Sequence, residues 1–174
     1  PYFLLELGSH SSGLAAEGDR LTGVPTALAD LIRARLERLP ERVRQVSQAA
    51  AVLEPDLELT SLRRTSGRSE EEMLDAIDAL LAAGILIERA AHGASSSTQV
   101  AFLFAHPLVA TVIPDGLSAT RRQFLHRRAA QALEAAHSTR LAPAAGRLLI
   151  HWRAAGDAEH AAHGPEPQKA QHDD

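Results

Sequence analysis

The chain lacks several residue types on which common functional sites depend. It contains no cysteine, which excludes disulfides and thiolate metal sites. Lys169 is its only lysine and follows Gln168, so a phosphate-binding loop of the GxxxxGK(S/T) type is absent from these 174 residues. Aromatic residues make up only 3% of the sequence, so the core must be built from Leu, Ile, Val and Ala. Such a composition favours helices.

Long apolar runs and an excess of positive charge are missing as well. No apolar run comes near the roughly 18 residues of a membrane-spanning helix, and no signal peptide is visible. The formal net charge is −4, without the basic excess typical of nucleic-acid-binding domains. We therefore expect a cytoplasmic protein that has no membrane partner and does not bind nucleic acid directly.

Proline and apolar spacing predict three helices before residue 67. Pro25-Thr26 suits the first turn of a helix that Pro40 stops. A second helix starts near Glu41 and ends at Pro55. A short third helix is indicated by three leucines and a closing Ser-Gly pair: Leu57, Leu59, Leu62 and Ser66-Gly67.

A fourth helix followed by a β-hairpin is indicated downstream. Ser69 with Glu72 forms a capping box, and Gly84 suits the C-terminal cap of the same helix. Alternating apolar residues then predict a strand at 85–87, a hairpin tip at 92–98 and a return strand at 100–104.

Further helices are predicted after the hairpin. One runs from His106 to about Ile113, broken by Pro114-Asp115-Gly116. Ser118 caps the next helix. Its predicted apolar stripe comprises Phe124, Leu125, Ala129, Leu133 and Ala136. Another helix at 143–155 carries Leu148, Leu149 and Trp152, and the polar sequence after Ala162 indicates disorder.

The order of the motifs resembles the region after the ATPase core in STAND-type NTPases, the AAA-like regulators of bacteria that include LuxR-family transcriptional regulators. The residues that carry the resemblance, from first to last, are Pro1-Tyr2-Phe3-Leu4, Val24-Pro25, Ala34-Arg35-Leu36-Glu37-Arg38-Leu39, Phe102-Leu103-Phe104-Ala105-His106-Pro107-Leu108-Val109, Leu125-His126-Arg127-Arg128-Ala129 and His151-Trp152-Arg153-Ala154-Ala155-Gly156-Asp157. Departures are the missing Gly-Asn before Pro1 and Pro107 in place of a helix former.

The resemblance implies a mainly α fold, with a winged helix (a helix-turn-helix with a β-hairpin wing) followed by an α-helical hairpin segment. The implied domains are the end of an ATPase lid helix plus loop at 1–23, the winged helix at 24–117 and the start of TPR-like repeats at 118–162. The polar composition adds a disordered tail at 163–174, which does not resemble the family.

The resemblance also implies a function, that of a non-catalytic regulatory fragment of an ATP/ADP-switched, LuxR-like transcriptional regulator. Such a fragment couples the nucleotide state of an ATPase core to a sensor arm. The parent has the core upstream and further repeats downstream, and these are the implied partners. Carried over by motif, Pro1 packs on adenine and His106 hydrogen-bonds the β-phosphate of ADP. An imidazole beside the free N–H groups of a helix N-terminus suits an anion. ATP or ADP is thus a cofactor of the parent and not of this chain alone.

Direct DNA binding by the predicted winged helix is opposed by charge. The helix in the recognition position carries five acidic residues and no basic one: Glu70, Glu71, Glu72, Asp75 and Asp78. Such a face repels phosphates. The one basic cluster comprises Arg121, Arg122, Arg127 and Arg128, which we expect on a solvated helix face.

No catalytic or metal site is indicated. Among nine histidines the closest grouping is His151, His160 and His163, without the carboxylates to complete a metal site. No GxSxG elbow and no marked acid/base pair occurs. Two alternatives remain open: a stand-alone winged-helix DNA-binding repressor, and a helical adaptor that docks a partner through Leu148, Leu149 and Trp152.

Overall fold

The structure of the chain, a computed structural model, describes residues 26–55, 57–92, 98–137 and 142–163. Within these ranges the protein is mainly helical, with one two-stranded antiparallel sheet. The elements in chain order are α1 (Thr26–Glu37), α2 (Glu41–Leu53), α3 (Leu59–Ser66), α4 (Glu70–Ala82), β1 (Leu86–His92), β2 (Thr98–Phe104), α5 (Pro107–Asp115), α6 (Ala119–Ala136), a 3-10 turn (Ala142–Ala144), α7 (Ala145–Ala154) and α8 (Ala158–His163).

Capping groups set the boundaries of α4 as the sequence predicts. The Ser69 hydroxyl accepts a hydrogen bond from the Glu72 amide, and the Glu72 carboxylate accepts one from the Ser69 amide, which completes the capping box. At the other end Gly84 has a φ of 62°, and the Ile85 amide donates to the Leu80 carbonyl at 2.9 Å. This Schellman arrangement ends the helix and turns the chain into β1.

The hairpin pairs Leu86 with Phe104 at its base, and a third segment joins its edge. The Phe102 amide donates to the Leu57 carbonyl at 2.8 Å, and Glu58 forms an antiparallel bridge with Ala101. Leu57 is therefore extended, and the prediction that it begins the third helix was wrong. The residue turns away from helical conformation because its backbone pairs with β2.

Two helix ends differ from the sequence prediction. α5 continues through Pro114 to Asp115 instead of breaking at Ile113. A proline in the last turn removes only one backbone hydrogen bond, which explains why the helix tolerates it. α8 ends at His163, so the predicted tail at 163–174 starts one residue too early. The remainder of that tail and segment 1–23 lie outside the described residues.

The main core lies between α1 to α5, the hairpin and one side of α6. Its fully buried members are mostly aliphatic and include Val46, Leu53, Leu62, Met73 and Leu80. Phe102 and Phe104 enter from β2, with Leu86 opposite on β1. Leu125 and Ala129 contribute the α6 side, so this helix closes the core.

A second, smaller core lies between α6, α7 and the start of α8. Its buried members are Ala130, Leu133, Ala144, Leu148, Trp152 and Ala155. Helix α6 therefore serves both cores, with its buried stripe shifted from the predicted one. Phe124 is 44% exposed and Ala136 is exposed as well, so the prediction that they lie in the stripe was wrong. Helices α2, α3 and α7 pack against α6, and the buried surface turns toward Ala130 and Ala132 instead.

The connection between α7 and α8 follows from two adjacent residues. Gly156 has a φ of 75°, and the Asp157 amide donates to the Trp152 carbonyl at 3.0 Å, which ends α7. The Asp157 carboxylate then accepts a hydrogen bond from the His160 amide at 3.1 Å and so caps α8. None of the helices in the described part of the chain is both long and apolar enough to cross a membrane.

Candidate functional site

His106 lies at the exit of β2 and caps helix α5. Its backbone is extended, with φ −145° and ψ 134°, and its Nδ1 accepts a hydrogen bond from the Leu108 amide at 3.2 Å. The side chain is partly buried. An accepting Nδ1 in a neutral ring places the proton on Nε2, so the capping contact selects the tautomer.

The backbone at the start of α5 does not offer the free donors that the sequence argument assumed. Pro107 has no N–H group. The Leu108 amide donates to the His106 ring, and the Val109 amide donates to the His106 carbonyl at 3.0 Å. The expectation of free N–H groups beside His106 was therefore wrong. Any anion at this position must be bound by the imidazole and not by the helix terminus.

Of the two residues predicted to contact nucleotide, Pro1 and His106, the structure describes only one. Pro1 lies outside the described residues, so only His106 can be placed. A groove of about 280 Å³ opens between α1, α2 and α5, with an apolar floor that includes Leu36, Val112 and Ile113. His106 is not part of its lining, because the groove lies at the opposite end of α5.

The exposed face of α4 is acidic, as the sequence indicated. Glu70, Glu71, Glu72, Asp75 and Asp78 are all exposed, whereas Met73, Ala76, Ile77 and Leu80 are buried. Arg63 and Arg68 reach the first turn and pair with Glu70 and Glu72, both at 3.3 Å. Most of this face thus keeps its negative charge, which disfavours contact with a phosphate backbone.

Two of the four arginines in the basic cluster on α6 lie over the exposed Phe124 ring. The guanidinium carbons of Arg121 and Arg128 lie 5.7 and 5.4 Å from the ring centroid. Arg122 and Arg127 are exposed on the same helix, in agreement with the predicted solvated face. The Arg128 guanidinium also occupies the space that a Cβ of Gly67 would need, so α6 lies close to the end of α3.

A pair of histidines joins α6 to α7, and sequence reasoning missed it. The Nδ1 atoms of His126 and His151 lie 3.0 Å apart, and the ring centroids lie 5.2 Å apart. His151 is only 5% exposed. Spacing could have signalled the pair, because His126 precedes Ala130 by one helical turn and His151 lies between Leu148 and Ala155 on the buried face of α7.

Burial governs the protonation of this pair. Desolvation, then the neighbouring His126 and Arg147, lower the pKa of His151 from 6.5 to about 4. Desolvation and Arg122 also lower the pKa of His126. Both imidazoles are therefore held neutral at pH 7. One ring nitrogen donates and the other accepts, since two donors cannot share this contact.

Trp152 follows His151 on α7, and two polar side chains hold its indole ring in place. Its Nε1 donates to the Glu134 carboxylate at 3.0 Å, and its ring stacks on His160 with centroids 4.4 Å apart. The hydrogen bond from His160 lowers the pKa of Asp157. The motif residues around His151, read from the sequence as a single run, thus perform separate structural tasks.

The predicted docking surface of the adaptor alternative is not available as stated. Leu148 and Trp152 are buried in the second core, and only Leu149 of the three is exposed. Ile150, which the sequence argument did not consider, is 63% exposed. The described residues contain no group of three or more metal-ligating side chains, and the side chain of His163 lies outside them.

Two of the motif segments that carry the resemblance, 125–129 and 151–157, meet in space. Leu125 and Ala129 on α6 lie in the main core, and His126 contacts His151 on α7. These two of the motif segments thus lie at the contacts between α6 and α7. Comparisons with protein-family models, curated proteins and solved structures gave no match for this chain.

Proposed function

We propose that this chain is a non-catalytic winged-helix module of a STAND-type, LuxR-like regulator, in which it links the nucleotide state of an ATPase core to a sensor arm. The observation that carries the proposal is the position of His106. It follows directly on the hairpin and has its ring oriented by the Leu108 amide.

The order of elements supports the winged-helix assignment. Helices α2, α3 and α4 are followed by the β1–β2 hairpin, and the segment between α2 and α3 joins the hairpin through the bridge from Glu58 to Ala101. A short third strand at this place ties the helix-turn-helix to its wing. The main core is continuous across all of these elements.

The His106 ring suits contact with a phosphate oxygen. Because Nδ1 accepts from the Leu108 amide, Nε2–H is the donor of the neutral ring. In the proposed closed state, ADP bridges the ATPase core to this imidazole. Exchange for ATP together with inducer binding releases the contact, which is a local phosphate switch acting on a bistable arrangement.

The exposed acidic face of α4 supports a regulatory role over a DNA-binding one. We expect no retardation of duplex DNA by this chain even at low salt, where phosphate contacts are strongest. A binding constant that falls steeply with added salt would instead support the repressor alternative. A gel-shift titration at two salt concentrations separates the two.

The nucleotide role is tested in the gene extended upstream of the Pro1 codon. We expect an in-frame GxxxxGK(S/T) loop there, and in that longer protein His106→Asn weakens ADP binding about tenfold or more, through the lost hydrogen bond to phosphate. Asparagine keeps the helix cap, so folding is preserved. His137→Asn, at the end of α6, is the matched control. Unchanged ADP affinity in His106→Asn would refute the proposal.

The helical adaptor stays as a second candidate because Leu149 and Ile150 are exposed on α7. This function predicts a stable complex with another protein that does not depend on nucleotide. Ile150→Asp should abolish such a complex, whereas Leu74→Asp, at an exposed leucine on α4, should not. A complex lost with both variants, or with neither, would count against this surface.

A further inference from the structure

The contact between His126 and His151 is the only imidazole pair that joins two helices among the described residues. Its Nδ1 atoms lie at hydrogen-bond distance, 3.0 Å apart, and the rings are tilted by 42°. The contact therefore needs one nitrogen that donates and one that accepts. A second proton on the pair turns both nitrogens into donors and places two positive charges side by side.

The surroundings of the pair offer no negative charge to balance such protonation. On the same two helices, Arg122 acts on His126 and Arg147 on His151, and both are positive. The Glu134 carboxylate of α6 is hydrogen-bonded to Trp152. No carboxylate in the described part of the chain lies within ion-pair distance of either imidazole.

The other elements packed on α6 and α7 do not change this balance. Asp157, which precedes α8, contacts the His160 ring at 3.0 Å. The acidic residue within α8, Glu159, has a partner of its own. The 3-10 turn carries no charged residue. Helices α2 and α3 pack on α6 and carry the ion-paired Glu41, which contacts Arg44, and Arg63, which contacts Glu70. None of the ion pairs of the described residues includes His126 or His151.

The pair joins α6 and α7, the same two helices that provide most of the small second core. Helices α7 and α8 are held to the rest of the molecule through Ala130 and Leu133 of α6, which contact Leu148 and Trp152. A cluster of this size buries little apolar surface compared with the main core. Repulsion between protonated His126 and protonated His151 is therefore able to separate α7 and α8 from α6.

We propose that His126 and His151 form a proton-operated latch, which holds the α7–α8 hairpin on α6 when the pair is neutral and releases it when both rings are protonated. The latch is independent of nucleotide and acts between α6 and the α7–α8 hairpin, which we call the arm. It makes the attachment of the arm sensitive to acid.

The direction of the pH dependence follows from the burial of both rings. Each pKa is lowered relative to the unfolded value of 6.5, with His151 at about 4. The neutral pair contributes its full stabilisation above pH 6.5, and this contribution is lost as the pH falls from 6.5 towards 4. Release of the arm therefore belongs to this interval.

Trp152 is the only tryptophan and reports the state of the contact. In a titration of the full chain, we expect its emission maximum to move to longer wavelength between pH 6.5 and 4, as the ring leaves the second core. Hydrogen exchange followed by mass spectrometry, corrected for intrinsic rates, should show loss of protection in α7 and α8 while α2 and α4 stay protected.

Substitutions identify the groups responsible. His126→Leu combined with His151→Leu should abolish the transition in this interval. If that variant does not fold, the single substitution His126→Gln should move the midpoint down by about 1 pH unit, because only one charge can form. His137→Gln, which removes the histidine at the C-cap of α6, should leave the midpoint in place.

Two further variants control for the polar groups that contact Trp152. His160→Gln removes the imidazole that stacks on the indole, and Glu134→Gln removes the carboxylate but keeps an oxygen acceptor for the indole. Both variants should retain the transition. The latch is refuted if the double leucine variant shows the wild-type midpoint, if the wild-type emission does not move above pH 4, or if α2 and α4 lose protection together with α7.

Discussion

His106 caps α5 with a ring nitrogen in the place where serine or aspartate usually supplies an oxygen. The contact gives the Leu108 amide a hydrogen-bond partner. Pro107, at the first helical position, has no N–H group that would need one. The residue that the resemblance assigns to phosphate therefore has a structural task of its own. A test of either role must preserve the other.

Substitution of His106 separates the two roles through stability. His106→Ala should lower the free energy of unfolding by about 1 kcal/mol, because the Leu108 amide loses its partner. His106→Asn should restore most of that loss, since asparagine caps helices well. Urea unfolding of this chain measures both. Equal stability of the alanine variant and the wild type would show that the cap contributes nothing.

Thr65 is a buried residue whose hydroxyl has no hydrogen-bond partner among the described residues. Replacement by valine keeps the shape and removes an unsatisfied polar group, so we expect Thr65→Val to raise the free energy of unfolding by about 1 kcal/mol. Thr65→Ser keeps the hydroxyl and loses a methyl group, so it should destabilise by roughly 1 kcal/mol. A destabilising valine in thermal unfolding would contradict this account.

At the scale of elements, α7 shows how adjacent apolar residues separate into buried and exposed faces. Leu148 is buried in the second core, whereas Ile150 is 63% exposed. We expect Leu148→Ala to cost about 3 kcal/mol, through lost burial and the cavity that remains. Ile150→Ala should change stability by less than about 0.5 kcal/mol. Denaturant unfolding of both variants checks which face of the helix contacts α6.

The elements also differ in how far the sequence predicts them. The boundaries of α4 depend on Ser69, Glu72 and Gly84, which act within one turn of the helix end, so they are predictable from local sequence. Leu57 was assigned to a helix because its apolar spacing fits one. Its extended conformation depends on Phe102, which is distant in the sequence, and local patterns contain no information about that hydrogen bond.

At the scale of the whole molecule, unequal cores predict unequal local stability. The main core draws on α1 to α5, the hairpin and α6, whereas the second core contains few large side chains. We therefore expect native-state hydrogen exchange at pH 7 to be faster in α7 and α8 than in α2 and α4, because smaller clusters open at lower free energy. Uniform protection across these helices would indicate a single cooperative unit.

The sequence by itself determined the local features: where α2, α4 and α6 begin, the turn from α4 into the hairpin, the acidic face of α4 and the position of His106 before α5. Each depends on residues a few positions apart, through caps, proline, glycine and periodicity. Tertiary structure decided which side of α6 is buried and left Phe124 at the surface. It also buried Leu148 and Trp152, and brought His126 within hydrogen-bond distance of His151. These features depend on the packing of α6 between the main core and α7. Helical periodicity specifies a buried face but not the helix that covers it.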